Sequence, residues 1–518
     1  MPAFAGWLLI APAVVLFLLS YVWPVLALLR TSFTAEALSG WRFLLSTRYL
    51  GLLGHALSYA VLPLLIIGVA APAVAWLAAR AGLVGRWAVR AAFVLPLAGF
   101  APTGLALLYV SRNTVAAPES PNVAEPTRIE WDGRIALVAT LGMFLLAVGV
   151  TCYLAVLRGR GQGETRRTFL IVGSLLAIVT LGMASQQYTF VRLVANAPGD
   201  QDSGATPMLA LHDAAGSAPP VLFHLLLLGL LGLAAGLVVL WSGLRLRVDP
   251  TVRSADDIAP AAYRRPRLIG ALLLVVALAT LTALQLGPWL SEVATGDGLP
   301  QGRYPVASIF LVTWLIPMGA AVVQVGAAAL AGFGIAVARP LGVRSDWLLL
   351  AFAPFLLVGN GLLELSQADS DGGPRILTEF APPSWISVTA IFVFTLLFRG
   401  QLVSRAPDGL GGLISPALPM FLLVAGVALL TQAQDLLTPS LMDADRGLVA
   451  HGQVILVREN LLAAVRGGTP DVALGYPLWL LVPFAIGALV MQWAYLDRVA
   501  VTLAPEAALP GPSPTIGG

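Results

Sequence analysis

The residues that could do chemistry in this chain are few, and most sit inside apolar runs. Gln186, Gln187 and Tyr188 close one such run, and Gln432, Gln434 and Asp435 close another at a corresponding place later in the chain. Gln324 lies near the middle of a third. Asn360 and Glu364 are four apart, so a helix would put them on one face. An amide or carboxylate in an apolar span is costly unless it meets a partner or a water-filled cavity. Two readings therefore stand side by side. Either each residue makes an interhelical hydrogen bond contributing about 1 kcal/mol, or the set Gln186, Gln187, Tyr188, Gln324, Asn360, Glu364, Gln434 and Asp435 lines a path for a polar solute. Gln285, at the end of another run, is open to the same two readings.

Other chemistries are excluded. There is no lysine, so no phosphate-cradling loop ending in Lys-Ser/Thr exists, and the chain does not itself hydrolyse ATP by that device. A single cysteine, Cys152, rules out an internal disulfide and any cysteine cluster. His55, His212, His224 and His451 lack metal-ligand spacing, and His224, in an apolar run, reads as a packed residue. No serine–histidine or paired-carboxylate arrangement stands out. The chain is expected to be no enzyme and to need no cofactor or metal.

The elements that would position these residues are membrane helices. Of 518 residues 58% are hydrophobic and only 11% charged, and mean hydropathy is +0.85. Repeated apolar runs near the bilayer thickness predict an all-α, polytopic membrane protein. Twelve spans are expected, near 7–29, 52–79, 91–111, 135–157, 168–190, 220–243, 268–290, 307–338, 347–365, 384–398, 413–432 and 475–497. The first lacks a basic leader and a cleavage site, so it is expected to be a retained helix.

The spans fall into two sets of six. Arg80 precedes Pro96 by 16 residues, and Arg339 precedes Pro354 by 15, each pair joining two apolar runs through a short basic connector. Such a recurrence suggests two copies of one membrane unit. Residues 1–245 and 268–500 would be the two halves, 246–267 a Pro- and charge-rich linker, and 501–518 a disordered tail. Arginine excess in alternate loops, strongest at Arg158 to Arg167 and Arg245 to Arg267, puts both termini and the linker in the cytoplasm of a bacterial plasma membrane. The pI of 9.2 then reports topology, and no nucleic-acid partner is implied. Gly447 to Val465 reads as an amphipathic segment at the outer surface.

Gly6-Trp7-Leu8-Leu9-Ile10-Ala11-Pro12-Ala13, Tyr21-Val22-Trp23-Pro24 and Thr31-Ser32-Phe33-Thr34 resemble the first span of sugar permeases of type I ABC importers, the maltose and glycerol-phosphate kind. The Arg80 to Pro96 hairpin, and Ala197-Pro198-Gly199 with Gly204-Ala205-Thr206-Pro207-Met208-Leu209, are similar to later parts of that subunit. Gln434-Asp435-Leu436-Leu437-Thr438-Pro439, Leu481-Val482-Pro483-Phe484 and Met491-Gln492-Trp493 resemble its partner subunit. The resemblance implies two fused permease subunits, with a separate ATPase and an extracytoplasmic solute-binding protein as partners beside the lipid bilayer. It also implies that loops holding Arg158, Arg160 and Glu164, and Arg405 and Asp408, face the ATPase. The family's docking helix there, of pattern E-A-A-x3-G, is missing. Two alternatives follow: a degenerate permease acting as a membrane scaffold or regulatory subunit, and a 12-span secondary carrier.

Overall fold

In lipid a backbone must satisfy its own polar groups, so Leu- and Ala-rich runs of this length form helices. The computed structural model describes residues 3–34, 38–44, 46–114, 126–159, 165–195, 206–213, 218–249, 264–296, 305–368, 383–405, 409–446, 451–465, 472–473 and 475–503. Among them nine helices are long and apolar enough to cross a membrane: α1 (Phe4–Thr31), α2 (Thr47–Arg80), α5 (Arg134–Arg158), α6 (Thr165–Ser185), α7 (Ala218–Ser242), α8 (Ile269–Thr295), α9 (Val306–Ala338), α13 (Gly409–Leu441) and α15 (Leu478–Arg498). Two bent pairs raise the number to eleven if each is one span: α3 (Gly82–Ala98) with α4 (Pro102–Ser111), at 81°, and α10 (Gly342–Phe355) with α11 (Asn360–Ser366), at 71°. The expected run 384–398 forms the shorter apolar helix α12 (Val388–Ser404).

Proline shapes the long helices. Single π turns at Leu18–Val22, Ile66–Ala70 and Leu311–Leu315 lie next to Pro24, Pro72 and Pro317. Proline has no N–H for the ladder, and a locally widened turn accommodates it. The two sharp bends follow Pro96 and Pro354, where two connected helices turn away from each other.

α2 lies against α5 and α6, and α9 lies against α12 and α13. Five pairings that cross between the front and back of the chain stand out. α1 packs on α9 while α8 packs on α3; α7 packs on α10 while α15 packs on α3. Then β1 (Arg245–Val248), which follows α7, pairs antiparallel with β2 (Val499–Thr502), which follows α15. β1 rests on α12, and β2 on α5. The strand pair therefore occupies part of the expected linker and reaches past residue 500. Residues 250–263 and 504–518 lie outside the described ones.

The largest buried cluster draws on both ends of the chain, from Ile10 and Tyr21 to Tyr476 and Val501. The perimeter is apolar too. Leu8, Trp23, Leu65, Val69, Leu230, Leu273, Leu284, Val322, Leu422 and Ile486 all point outward. An apolar exterior over long helices suits a bilayer as solvent. The helix α14 (Gly452–Val465) differs from the surface segment expected there, because one face, with Ile455 and Leu456, is buried against α4 and α9.

Candidate functional site

A cavity of about 570 Å³ opens between the front and back helices, within the size range of ligand pockets. Seven of the eight path residues line it: Gln186, Gln187, Tyr188, Gln324, Asn360, Gln434 and Asp435. Glu364, one turn along α11 from Asn360, is half-buried outside the lining. Both bends border the cavity, through Phe100 and Pro102 at the first and Leu356 to Asn360 at the second.

Several lining groups are committed to holding the fold. Gln186 Nε2 donates to the carbonyls of Gly182 (3.0 Å) and Leu357 (2.7 Å), and its Oε1 accepts from the Gly359 N–H at 2.7 Å. One amide from the front half thus satisfies two backbone groups at the α10–α11 bend. At the α3–α4 bend the back half reciprocates: the Tyr476 hydroxyl donates to the Ala98 carbonyl at 2.6 Å. Asp435 caps the next helical turn, accepting from Leu437 N–H (3.1 Å) and the Thr438 hydroxyl (2.5 Å). Gln434 is almost fully buried, donating to Gly475 O and accepting from Gln453 Nε2 at 3.1 Å. The Tyr188 hydroxyl meets His212 Nε2 at 3.2 Å. Gln285 plays the same structural part elsewhere, bridging Met143 N–H and Val138 O across α5.

The rest form a polar strip on the back wall. Gln432 Nε2 donates to Gln324 Oε1 at 2.8 Å, Gln324 Nε2 donates to Ser384 O at 2.5 Å, and the Ser384 hydroxyl donates to Asn360 Oδ1 at 2.5 Å. Gln432 Oε1 is buried and has no hydrogen-bond partner among the described residues. Opposite, the half-buried Gln187 side chain makes no hydrogen bond among the described residues; its backbone carbonyl accepts from the Thr206 hydroxyl at 2.6 Å. Tyr21, Tyr59, Phe100, Phe144, Phe190 and Phe355 supply aromatic faces. Asp435 is the one charged residue among the described lining, and its carboxylate is already a cap. Such a surface offers amide and hydroxyl hydrogen bonds and ring faces, and no counter-ion.

The face carrying β1 and β2 holds a buried ion-pair cluster. Asp497 is buried, with Arg86 on it in a two-point pair (2.7 and 3.1 Å), the Trp87 indole N–H at 3.2 Å, Arg90 at 3.3 Å and Arg158 at 4.0 Å. Arg90 also donates to Gln492 Oε1 (2.7 Å) and Leu496 O (3.3 Å), tying α3 to α15. Arg158 meets Asp249 at 3.5 Å, so this expected loop residue turns inward. Arg160, Glu164 and Asp408 lie outside the described residues, as does the side chain of Arg405, which ends a helix.

Sequence reasoning missed Ser384, Gln453, Asp346 and Asp497. Ser384 is a single hydroxyl at the start of an expected apolar span, and Gln453 lies in a segment read as surface. The two aspartates each stand beside arginines in sequence or at a span end, which reads as a solvated terminus. Compared with known protein families, characterised proteins and solved structures, the chain matches none.

Proposed function

We propose that the chain is the membrane permease component of an importer of the type I ABC kind, with twelve crossings in two sets of six and a path for a small, uncharged polar solute between them. The single observation that carries this reading is the shared cavity. Residues chosen from two distant apolar runs, Gln186 to Tyr188 and Gln432 to Asp435, meet at one chamber flanked by two broken helices. Broken helices lining a chamber between repeated units are a common design of solute pathways. The neutral, aromatic-and-amide wall favours a sugar or similar polyol over an ion. The strand pair and the Asp497 cluster would then close the cytoplasmic end, leaving the chamber open to the other side.

A second reading has a specific observation in its favour. Arg158, expected to face an ATPase, is held by Asp249 and Asp497 of the chain itself. A permease-like protein whose inner loops are tied down in this way would serve as a membrane scaffold. The two readings separate on one experiment. The tagged chain is purified from its native membranes in a mild detergent and tested for a co-purifying subunit with ATPase activity that solute stimulates. Its recovery is the expected result. An intact, monodisperse chain without any ATPase rejects the importer reading.

A further inference from the structure

Two arginine clusters flank the strand pair, and they differ in how well they are paired. In the cluster around Asp497, the carboxylate is held by a two-point pair from Arg86 and an indole N–H, and Arg90 has Gln492 and a backbone carbonyl besides. The second cluster gathers Arg245 at the start of β1, Arg339 just past α9 and Arg399 in α12 around the lone carboxylate of Asp346 in α10. Its contacts are long. Arg399 Nη2 and Arg339 Nη2 approach the same oxygen, Asp346 Oδ2, at 3.4 and 4.0 Å. Arg339 Nε is used by the Ala336 carbonyl at 3.2 Å. The Arg245 side chain makes no ion pair or hydrogen bond among the described residues. Arg245 Nε, Arg399 Nη1 and Asp346 Oδ1 are all buried without a hydrogen-bond partner there.

Among the described residues three cations share one anion, and the excess positive charge in a partly desolvated place is unfavourable unless another anion shares it. Burial, and next the neighbouring Arg339, pull the Arg245 guanidinium below its usual range, against the opposing effect of Asp346. The cluster is not sealed, because the Arg339 side chain is 42% exposed. Guanidinium forks match the oxygens of a phosphate group. The surroundings say where that phosphate comes from. Leu341, Val343 and Trp347, on the short chain between Arg339 and the end of Asp346's turn, are 46%, 67% and 54% exposed. Apolar and indole groups beside a basic cluster at a helix end suit the boundary between acyl chains and headgroups.

We propose that Arg245, Arg339 and Arg399 form a binding site for the phosphate of an anionic phospholipid headgroup, with Leu341, Val343 and Trp347 against its acyl chains. The site is independent of any solute path. It ties β1 to the ends of α9 and α12, so an occupied site stiffens the face that carries the strand pair.

The test uses the full chain, purified in neutral detergent, stripped of lipid and titrated separately with phosphatidylglycerol, phosphatidylcholine and inorganic phosphate while thermal unfolding is followed. Phosphatidylglycerol should raise the midpoint and phosphatidylcholine should not. Arg245→Gln should weaken the apparent affinity about fivefold, the effect of one arginine near an anionic surface. Arg30→Gln, near the other end of α1, should leave it unchanged. Because the Arg245 side chain has no hydrogen bond or close ion pair to lose among the described residues, the lipid-free Arg245→Gln chain should be at least as stable as the parent. A stabilisation by inorganic phosphate without one by phosphatidylglycerol overturns the lipid assignment. Equal responses to the two lipids, or equal responses of parent and Arg245→Gln, overturn the site itself. Should Arg399→Gln fail to fold, the lipid comparison on the parent chain and the Arg245 variant still decide.

Discussion

Leu246 and Val501 face each other across the antiparallel strand pair, and the carbonyl of each abuts a glycine at the end of a helix from the other half of the chain: Gly400 on Leu246, Gly159 on Val501. A Cβ at either glycine would collide with backbone that cannot swing aside. Overpacking of this kind costs about 1–3 kcal/mol. Gly400→Ala should therefore lower the unfolding midpoint of the detergent-purified protein by several degrees. Gly319→Ala, in α9 where a Cβ meets nothing within 4 Å, should be neutral or slightly stabilising, since alanine is the better helix former. Equal behaviour of the two variants would mean that the strand pair does not rest on these helices.

Gln186 and Gln187 are neighbours with opposite duties, and leucine at each separates them. Gln186→Leu removes the groups that satisfy Leu357 O and Gly359 N–H at the bend. Leaving two backbone groups without partners costs about 1–3 kcal/mol each, so this variant should be markedly less stable. Gln187→Leu breaks no side-chain hydrogen bond among the described residues and changes only the cavity wall. It should unfold like the parent, and in a working uptake assay its transport should fall. A destabilised Gln187→Leu would return that residue to a packing role.

The contrast also shows what a sequence can and cannot convey. Apolar length made the helices legible, because a bilayer demands it of any spanning segment. Amides in apolar runs were legible as a set, because each must meet something polar. What each meets was not. Gln186 and Asp435 look like wall residues in sequence and act as a bend clasp and a helix cap, since both jobs depend on backbone brought together by folding. The strand pair was illegible for a related reason. Arg245–Val248 and Val499–Thr502 are only four residues each and lie far apart in the chain, and neither has a hairpin turn to announce it. Asp346 and Asp497 were hidden because a carboxylate beside an arginine at a helix end reads as solvated until the packing buries it.

Asp497 is the carboxylate on which Arg86, Arg90 and Arg158 converge, so its removal should be far more damaging than that of an exposed acid. Asp497→Asn keeps the shape, strips Arg86 and Arg90 of this counter-ion and leaves Arg158 with Asp249. Breaking one partner out of a buried pair costs about 3–5 kcal/mol. The variant should express poorly or melt many degrees lower. Arg86→Gln in the same background should recover part of the loss, because it lessens the uncompensated charge. A double variant as unstable as the sum of the two singles would show that the groups do not act as one cluster.

His451 opens α14 in a buried position, with its Nδ1 accepting from the Gln453 N–H at 3.3 Å. Burial pushes its imidazole down to about 4, from the ordinary 6.5. The sign follows from where the proton is taken up. Above 6.5 the ring is neutral in both the folded and unfolded chain and has no effect on the balance. As pH falls from 6.5 toward 4, the unfolded chain binds a proton that the folded chain refuses, so stability is lost across that window. At pH 5 the loss amounts to about 2 kcal/mol from this one group. His451→Asn, which keeps an acceptor near the Gln453 N–H and cannot titrate there, should remove that share of the acid sensitivity while leaving the midpoint at pH 7.5 close to the parent's. Thermal unfolding of both proteins at pH 7.5, 6 and 5 makes the comparison. Parallel curves over that range would show that His451 takes up its proton in the folded protein as readily as in the unfolded one, and that its pocket is open to water.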